Sequence, residues 1–274
     1  MVGRWFLAAV LAAVPLLPLR AQSSAQPGAQ SSAVSGPRPG AAQNAVLSTE
    51  PEHCDTPDEL IASPSSFADV AAALQPGRTL AVLAVGSATI VNPDRSTDAS
   101  FPAVMAAALR AAVPGVEVTV TVRSGRGMTA ADMVPVLKDA LARHRYQLIV
   151  WQTGTVEAVR GLPPDDFLQT LTEGIQAARD AGADVVLVDP QFSRFLRANA
   201  NLDPYLQIMR QAGTMADADL FPRFDLMKHW VDAGEVDMER VDRAHRDSAA
   251  RTVHACLGRA LARFVLQAAA TAKP

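Results

Sequence analysis

Cysteine is nearly absent, with two in 274 residues. That excludes a disulfide-rich scaffold and a zinc site built from cysteines. Basic charge is not in excess either. Lys and Arg number 25 against 28 Asp and Glu, for a net charge of −3. Nothing is left over to neutralise a phosphate backbone, so nucleic-acid binding is not expected. Glycine at 16 and proline at 19 are too sparse for a collagen-like or low-complexity chain. No HExxH or comparable ligand spacing occurs, so no metal and no cofactor is expected. Beyond Leu19 no apolar run reaches the length of about 20 residues that a membrane span needs. Apolar residues as a class are plentiful: they make up 49% of the chain against 19% charged, which describes a globular protein with a sizeable core.

The first 21 residues, MVGRWFLAAVLAAVPLLPLRA, are a targeting pattern. Arg4 is a short positive start, Trp5 to Leu19 is apolar but broken by Pro15 and Pro18, and Ala21 is a small residue at the cleavage position. This reads as a secretory signal peptide over 1–21. Its removal would take two arginines and no acid, moving the net charge from −3 to −5. Residues 22–51 are dominated by Ser, Ala, Gln, Pro and Gly without any apolar period. They bury too little to offset their ordering entropy and read as a flexible tether. A single folded domain is expected over 52–274. The expected location is periplasmic or secreted, with no membrane span once the signal is cleaved. In that setting thiols oxidise. Cys54 opens the domain and Cys256 lies in its last helix, and domain ends often lie close together. A Cys54–Cys256 disulfide would close a loop of about 200 residues and stabilise by roughly 5 kcal/mol in the chain-entropy account. Two separate buried thiols are the alternative.

The body alternates strand and helix. Apolar or β-branched runs predict strands at 79–85, 116–122, 146–151 and 183–189, with a short fifth at 219–221. Helical spacing predicts helices at 101–113, 130–143 (capped by Thr129), 164–181 (stopped by Gly182), 204–215 and 248–269. Strands apolar on both faces with helices between them make a three-layer α/β/α sandwich on a parallel, flavodoxin-like sheet. In such sheets ligands bind outside the carboxyl ends of the strands. The loops after the first four strands, and the segment before the last helix, are therefore where chemistry is expected.

Those loops carry candidate groups. Ser87 follows the first strand directly, where a serine either acts as a nucleophile or caps a helix. Residues 124–129, SGRGMT, follow the second strand, and their glycines would let backbone N–H groups approach a ligand or simply make a tight turn. Neither GxxxxGK[ST] nor GxGxxG is present, so this is not a phosphate or dinucleotide cradle. Gln152, Thr153, Gly154 and Thr155 follow the third strand. Asp242 precedes His245 by three residues, which lets a carboxylate reach the ring Nδ1–H across one turn and fix the tautomer.

Taken in order, these blocks resemble the SGNH hydrolases, also called GDSL esterases and lipases, from about Thr79 to Ala262. The resemblance implies a Ser-His-Asp ester hydrolase. Ser87 would be the nucleophile, His245 the base and Asp242 its orienting carboxylate. The N–H groups of Ser87 and Gly127 would be oxyanion donors, with Gly154 and Thr155 beside them. Two blocks depart from the family. Where it has G-D-S, the chain has Gly86-Ser87-Ala88, and alignment on S-x-T places Ser87 on the nucleophile. Where it has G-x-N-D, the chain has Gly154-Thr155-Val156-Glu157, and Val156 replaces the asparagine that usually supplies a third oxyanion donor. Loss of one such donor costs about 10²–10³ in kcat. The implied substrate is an acylated carbohydrate or small ester, with O-acyl groups of an envelope or secreted polysaccharide suited to an exported, tethered enzyme. The alternatives are acyl transfer by the same triad and a noncatalytic protein of this fold that binds glycan or an envelope assembly partner.

Other groups are weaker candidates. Asp225 and His229 are four apart and would share a helix face, while Phe224, Met227 and Trp230 would pack on the domain or line a cleft. Arg194 and Arg197 could meet an anionic group. His53, His144 and His254 show no ligand spacing.

Overall fold

The computed structural model describes residues 54–215 and 218–272. The expected signal peptide (1–21) and tether (22–51) lie outside the described residues.

Five parallel strands form one sheet in the order β2-β1-β3-β4-β5. They are β1 (Thr79–Gly86), β2 (Glu117–Ser124), β3 (Leu148–Gln152), β4 (Asp184–Val188) and β5 (Asp219–Phe221). The helices are α1 (Ala68–Ala73), α2 (Phe101–Ala112), α3 (Ala130–Arg143), α4 (Thr155–Arg160), α5 (Pro164–Asp180), α6 (Arg194–Asn199), α7 (Asp203–Met215), α8 (Arg223–Asp232) and α9 (Arg246–Ala270). The three central strands are buried almost throughout. Their side chains alternate between two cores, as a period of two requires. Leu80, Val82, Ala84, Leu148, Val150, Val186 and Val188 face the core shared with α1, α2 and α9. Leu83, Val85, Ile149, Trp151, Val185 and Leu187 face that of α3, α5 and α7. The three-layer parallel sandwich is therefore the fold.

Local chemistry sets the boundaries. Thr129 accepts from the Asp132 N–H at 3.2 Å while Asp132 accepts from the Thr129 N–H at 2.9 Å, so α3 starts in a capping box. The Thr129 N–H, and then its hydroxyl at 2.8 Å, donate to the Asp132 carboxylate and hold it below its ordinary pKa. Helix α9 packs along α2 at Gly258, where a Cβ would come within 2.5 Å of the Val104 Cβ and 2.7 Å of the Phe101 carbonyl. Only glycine permits that approach. A disulfide joins Cys54 to Cys256 with their Cα atoms 5.8 Å apart. The entering segment is further held by the Trp230 Nε1–H donating to the Asp55 carbonyl at 2.8 Å.

Three short helices were not expected from the sequence. Helices α4 and α6 fall in stretches that read as loops, and α1 lies before the first strand. Each has six residues, too short for an apolar period to register. Helix α4 starts at Gly154 with φ of +88°, a left-handed entry that suits glycine. Among the described residues no helix is long and apolar enough to cross a membrane.

Candidate functional site

The carboxyl ends of the strands gather the groups singled out in the sequence. Strand β1 ends on Gly86, in register with Gln152 at the end of β3. The fit is close: a Cβ on Gly86 would lie 2.9 Å from Gln152 Oε1. Ser87 follows in extended geometry before a 3-10 turn at Ala88–Ile90. It is buried, at 7% exposure. Its Oγ accepts from Gln152 Nε2 at 3.3 Å, and the same amide donates to Thr89 Oγ1 at 2.9 Å. Gln152 Oε1 has no partner.

After β2, Gly127 turns with φ of +69° into the capped start of α3. After β3, the buried Glu157 gathers the local donors. It accepts from the Gly154 N–H at 3.0 Å, from Thr153 Oγ1 at 3.2 Å and from the Ala130 N–H. The Gly154 N–H is therefore engaged by Glu157 in this structure. Thr155 Oγ1 is buried without a partner.

Asp242 and His245 do meet. His245 Nδ1 lies 2.8 Å from Asp242 Oδ1, and the same oxygen accepts the His245 backbone N–H at 3.1 Å. Both side chains are well exposed, at 73% and 68%. Arg251, in the first turns of α9, reaches Asp94 in the loop after β1 at 3.3 Å. No hydrogen bond joins Ser87 to His245. The structure brings two of the three groups together and leaves the third apart.

A cavity of about 650 Å³ opens at this end of the sheet. Its wall includes Ala88 and Thr89 after β1, Met227 and Trp230 of α8, and His254 of α9. Ser87, Gly127, Gly154, Thr155, Asp242 and His245 are not on its wall.

Of three buried titratable groups here, Arg223 and His254 are on the cavity wall and Asp189 adjoins Arg223, and the sequence assigned none of them a role. Asp189, directly after β4, is fully buried, and its Oδ1 accepts the Phe224 N–H at 2.7 Å, capping α8. Burial pushes its carboxyl up to about 7, against the pull of the Phe224 N–H and the Arg223 charge. Arg223, 1% exposed, donates from Nε to the Asp189 carbonyl at 3.0 Å, and burial brings its guanidinium down to about 10. His254 Nδ1 accepts the Phe101 N–H at 3.1 Å, and its ring stacks on Phe101 with centroids 5.9 Å apart. Burial, and then the Arg223 charge, push the imidazole down to about 4. It is neutral at physiological pH. The one signal in the sequence was positional: Asp189 ends a buried strand at the sheet's carboxyl edge. Arg223 and His254 lie inside helices, where only tertiary packing tells a buried polar group from a surface one.

The remaining candidates resolve into structural contacts. Arg194 pairs with Asp237 through two bonds of 2.8 and 2.6 Å and with Glu239 at 3.2 Å, so its guanidinium is taken. Arg197 pairs with Asp203 and sits over the Phe224 ring at 5.9 Å. Asp225 pairs with Arg210 at 3.3 Å, while His229 lies 4.0 Å from Asp55, so the two do not form a catalytic pair. Among the described residues no group of three or more His, Cys, Asp or Glu side chains is placed to hold a metal.

The sequence model of the Non-GDSL lipase-like family matches residues 53–271. No curated protein sequence matches the chain. Among solved structures, TesA aligns with a TM-score of 0.53 at 21% identity, over 67% of this chain and 99% of that one. Axe2, an acetylxylan esterase from Geobacillus stearothermophilus, aligns with a TM-score of 0.55 at 15% identity, over 70% and 96%. The psychrotrophic esterase EstA from Pseudoalteromonas sp. aligns with a TM-score of 0.53 at 13% identity, over 68% and 98%. At these identities the likeness is one of fold.

Proposed function

The chain belongs to the Non-GDSL lipase-like family, and from that premise we propose that it is an exported ester hydrolase removing O-acyl groups from an envelope or secreted polysaccharide. The observation that carries the reading is the Asp242–His245 pair, formed at 2.8 Å on the segment that leads into α9. A carboxylate on Nδ1 leaves Nε2 as the base, the arrangement acyl transfer needs. In this reading Ser87 Oγ attacks the ester carbonyl carbon and its proton passes to His245 Nε2. The C–O bond to the alcohol breaks, and the departing oxygen takes that proton. Water, deprotonated by His245, then attacks the acyl carbon; the bond to Ser87 breaks, the acid leaves and Ser87 Oγ takes the proton back from His245. The Ser87 and Gly127 N–H groups would hold the oxyanion. His245 must close on Ser87 as substrate displaces water, since catalytic hydrogen bonds commonly tighten only in the complex. The apolar cavity beside this end would take the non-reacting part of the substrate. Residues 1–21 as a signal, 22–51 as a tether and the Cys54–Cys256 disulfide support an oxidising, extracytoplasmic location. An envelope partner or an alcohol acceptor in place of water is compatible with the same chemistry.

A second reading has its own observation. Ala88, which cannot attack, is on the cavity wall, and Ser87 is not. Together with Val156 in the asparagine position and the engaged Gly154 N–H, this favours a protein that binds its ligand without cleaving it. Covalent labelling of residues 52–274 with a fluorophosphonate, followed by peptide mass spectrometry, separates the two. Label on Ser87 that disappears in His245→Ala supports the hydrolase. No label on a folded sample transfers the assignment to the binding protein.

A further inference from the structure

The cavity is apolar for most of its wall, yet two buried polar atoms among its lining residues have no partner: Arg223 Nη2 and Asn92 Oδ1. A buried guanidinium is costly unless its donors are used, because each unpaired donor forfeits its hydration. Arg223 uses Nε on the Asp189 carbonyl. Asp189, whose charge acts on it, is pushed up to about 7 and so cancels only part of its charge near neutral pH. The rest of the wall cancels no more of it. Asp237 and Glu239 line the cavity, but both pair with Arg194, and Asp237 pairs also with Arg240 at 3.4 Å. Arg95 and Arg126 line it as well and make no ion pair among the described residues. His254 contributes no charge at this pH. The balance along the wall is positive, around apolar surface from Met227, Trp230 and Val253.

We propose that this cavity binds an amphiphilic carboxylate, with the head drawn to Arg223 and the apolar body laid against Met227, Trp230 and Val253. A carboxylate supplies the acceptor that Nη2 lacks, in a charge-assisted bond of the kind guanidinium forms best. The aliphatic portion fills a volume within the range of small-molecule pockets. Asn92 Oδ1, the other unpaired atom, takes a hydroxyl or a water carried in with the ligand. Its amide nitrogen is already fixed by Ser96 and Asp98. The inference does not depend on ester cleavage and holds for either reading of function.

The test is equilibrium binding to residues 52–274 by isothermal titration, with three ligands of one tail length: decanoate, decanol and decylammonium. Decanoate is expected to bind at least about tenfold more tightly than decanol, the worth of one hydrogen bond to a charged group. Decylammonium is expected not to bind. In Arg223→Met the preference for decanoate over decanol disappears while decanol binding persists. Val253→Trp leaves Arg223 in place, narrows the cavity where the tail would lie and weakens both. The second variant keeps the test decisive if Arg223→Met does not fold. Equal affinities for decanoate and decanol in the native protein would overturn the proposal, as would an unchanged preference in Arg223→Met or unaffected binding in Val253→Trp. Fluorophosphonate labelling reads Ser87 separately, so failure here and failure of the hydrolase reading are distinguishable.

Discussion

Asp189→Asn removes a charge that the fold holds at a loss. Asp189 is fully buried, and its carboxyl is pushed up to about 7 from an ordinary value of 3.8. The unfolded chain releases this proton near pH 4, and the folded chain keeps it until about pH 7. Over that window the folded state binds more protons, so stability falls as pH rises. The shift is about 3 units, and each unit is worth about 1.4 kcal/mol, so the ionised group costs roughly 4 kcal/mol above pH 7. Asparagine has nearly the same shape and keeps an oxygen for the Phe224 N–H that starts α8. The variant should match the native protein near pH 4 and exceed its stability by roughly 4 kcal/mol at pH 8, growing by about 1.4 kcal/mol per pH unit between. His254 works in the opposite direction. Its pKa falls from 6.5 to about 4 on folding, so its contribution is lost as pH drops through that range. It is present in both proteins and cancels in their difference. Urea unfolding of both at half-unit steps from pH 4.5 to 8 measures that difference directly. A difference that is flat with pH would refute the reasoning, as would a variant less stable than the native protein at pH 8.

Two further outcomes follow from the packing. Reducing the Cys54–Cys256 disulfide frees a loop of 202 residues; the chain-entropy account gives a loss of roughly 5 kcal/mol, read as a lowered urea midpoint with reductant present. An unchanged midpoint would mean that the hydrogen bonds of the entering segment alone hold the two ends together. Glu157→Ala leaves the buried Gly154 and Ala130 N–H groups without an acceptor. At about 1–3 kcal/mol for each unpaired donor, it should destabilise by about 2–6 kcal/mol in the same assay, and Glu157→Gln, which keeps one acceptor oxygen, by less.

The main elements of this fold were legible in the chain because their signals are local. The β-branched run at 116–122 becomes β2, shifted by one or two residues. Thr129 with Asp132 marks the start of α3, and Gly182 follows the end of α5 with φ of +73°. The run at 183–189 becomes β4 because its four consecutive apolar residues, 185–188, suit a strand covered on both faces. Shorter pieces escaped. Six residues of α4 hold less than two helical turns, too little for a period to stand above the background. The pairing of Asp242 with His245 was legible for the same reason as α3: three residues across one turn fix the distance.

What composition and spacing could not reach are contacts between distant parts of the chain. Whether the Gly154 N–H stays free depends on Glu157, and whether Arg194 is available to a ligand depends on Asp237, 43 residues away. Asp189, Arg223 and His254 come from a strand end and two helices, and their burial is a property of the packed layers. The amino-acid order by itself determined an α/β sandwich and pointed to the carboxyl edge of the sheet as the place to seek its chemistry, because hydrophobic period and turn residues act over a few positions. Only the tertiary structure decided which polar groups at that edge are exposed, which are engaged and which are buried and charged. Desolvation and hydrogen-bond satisfaction depend on neighbours that the chain brings together only when it folds.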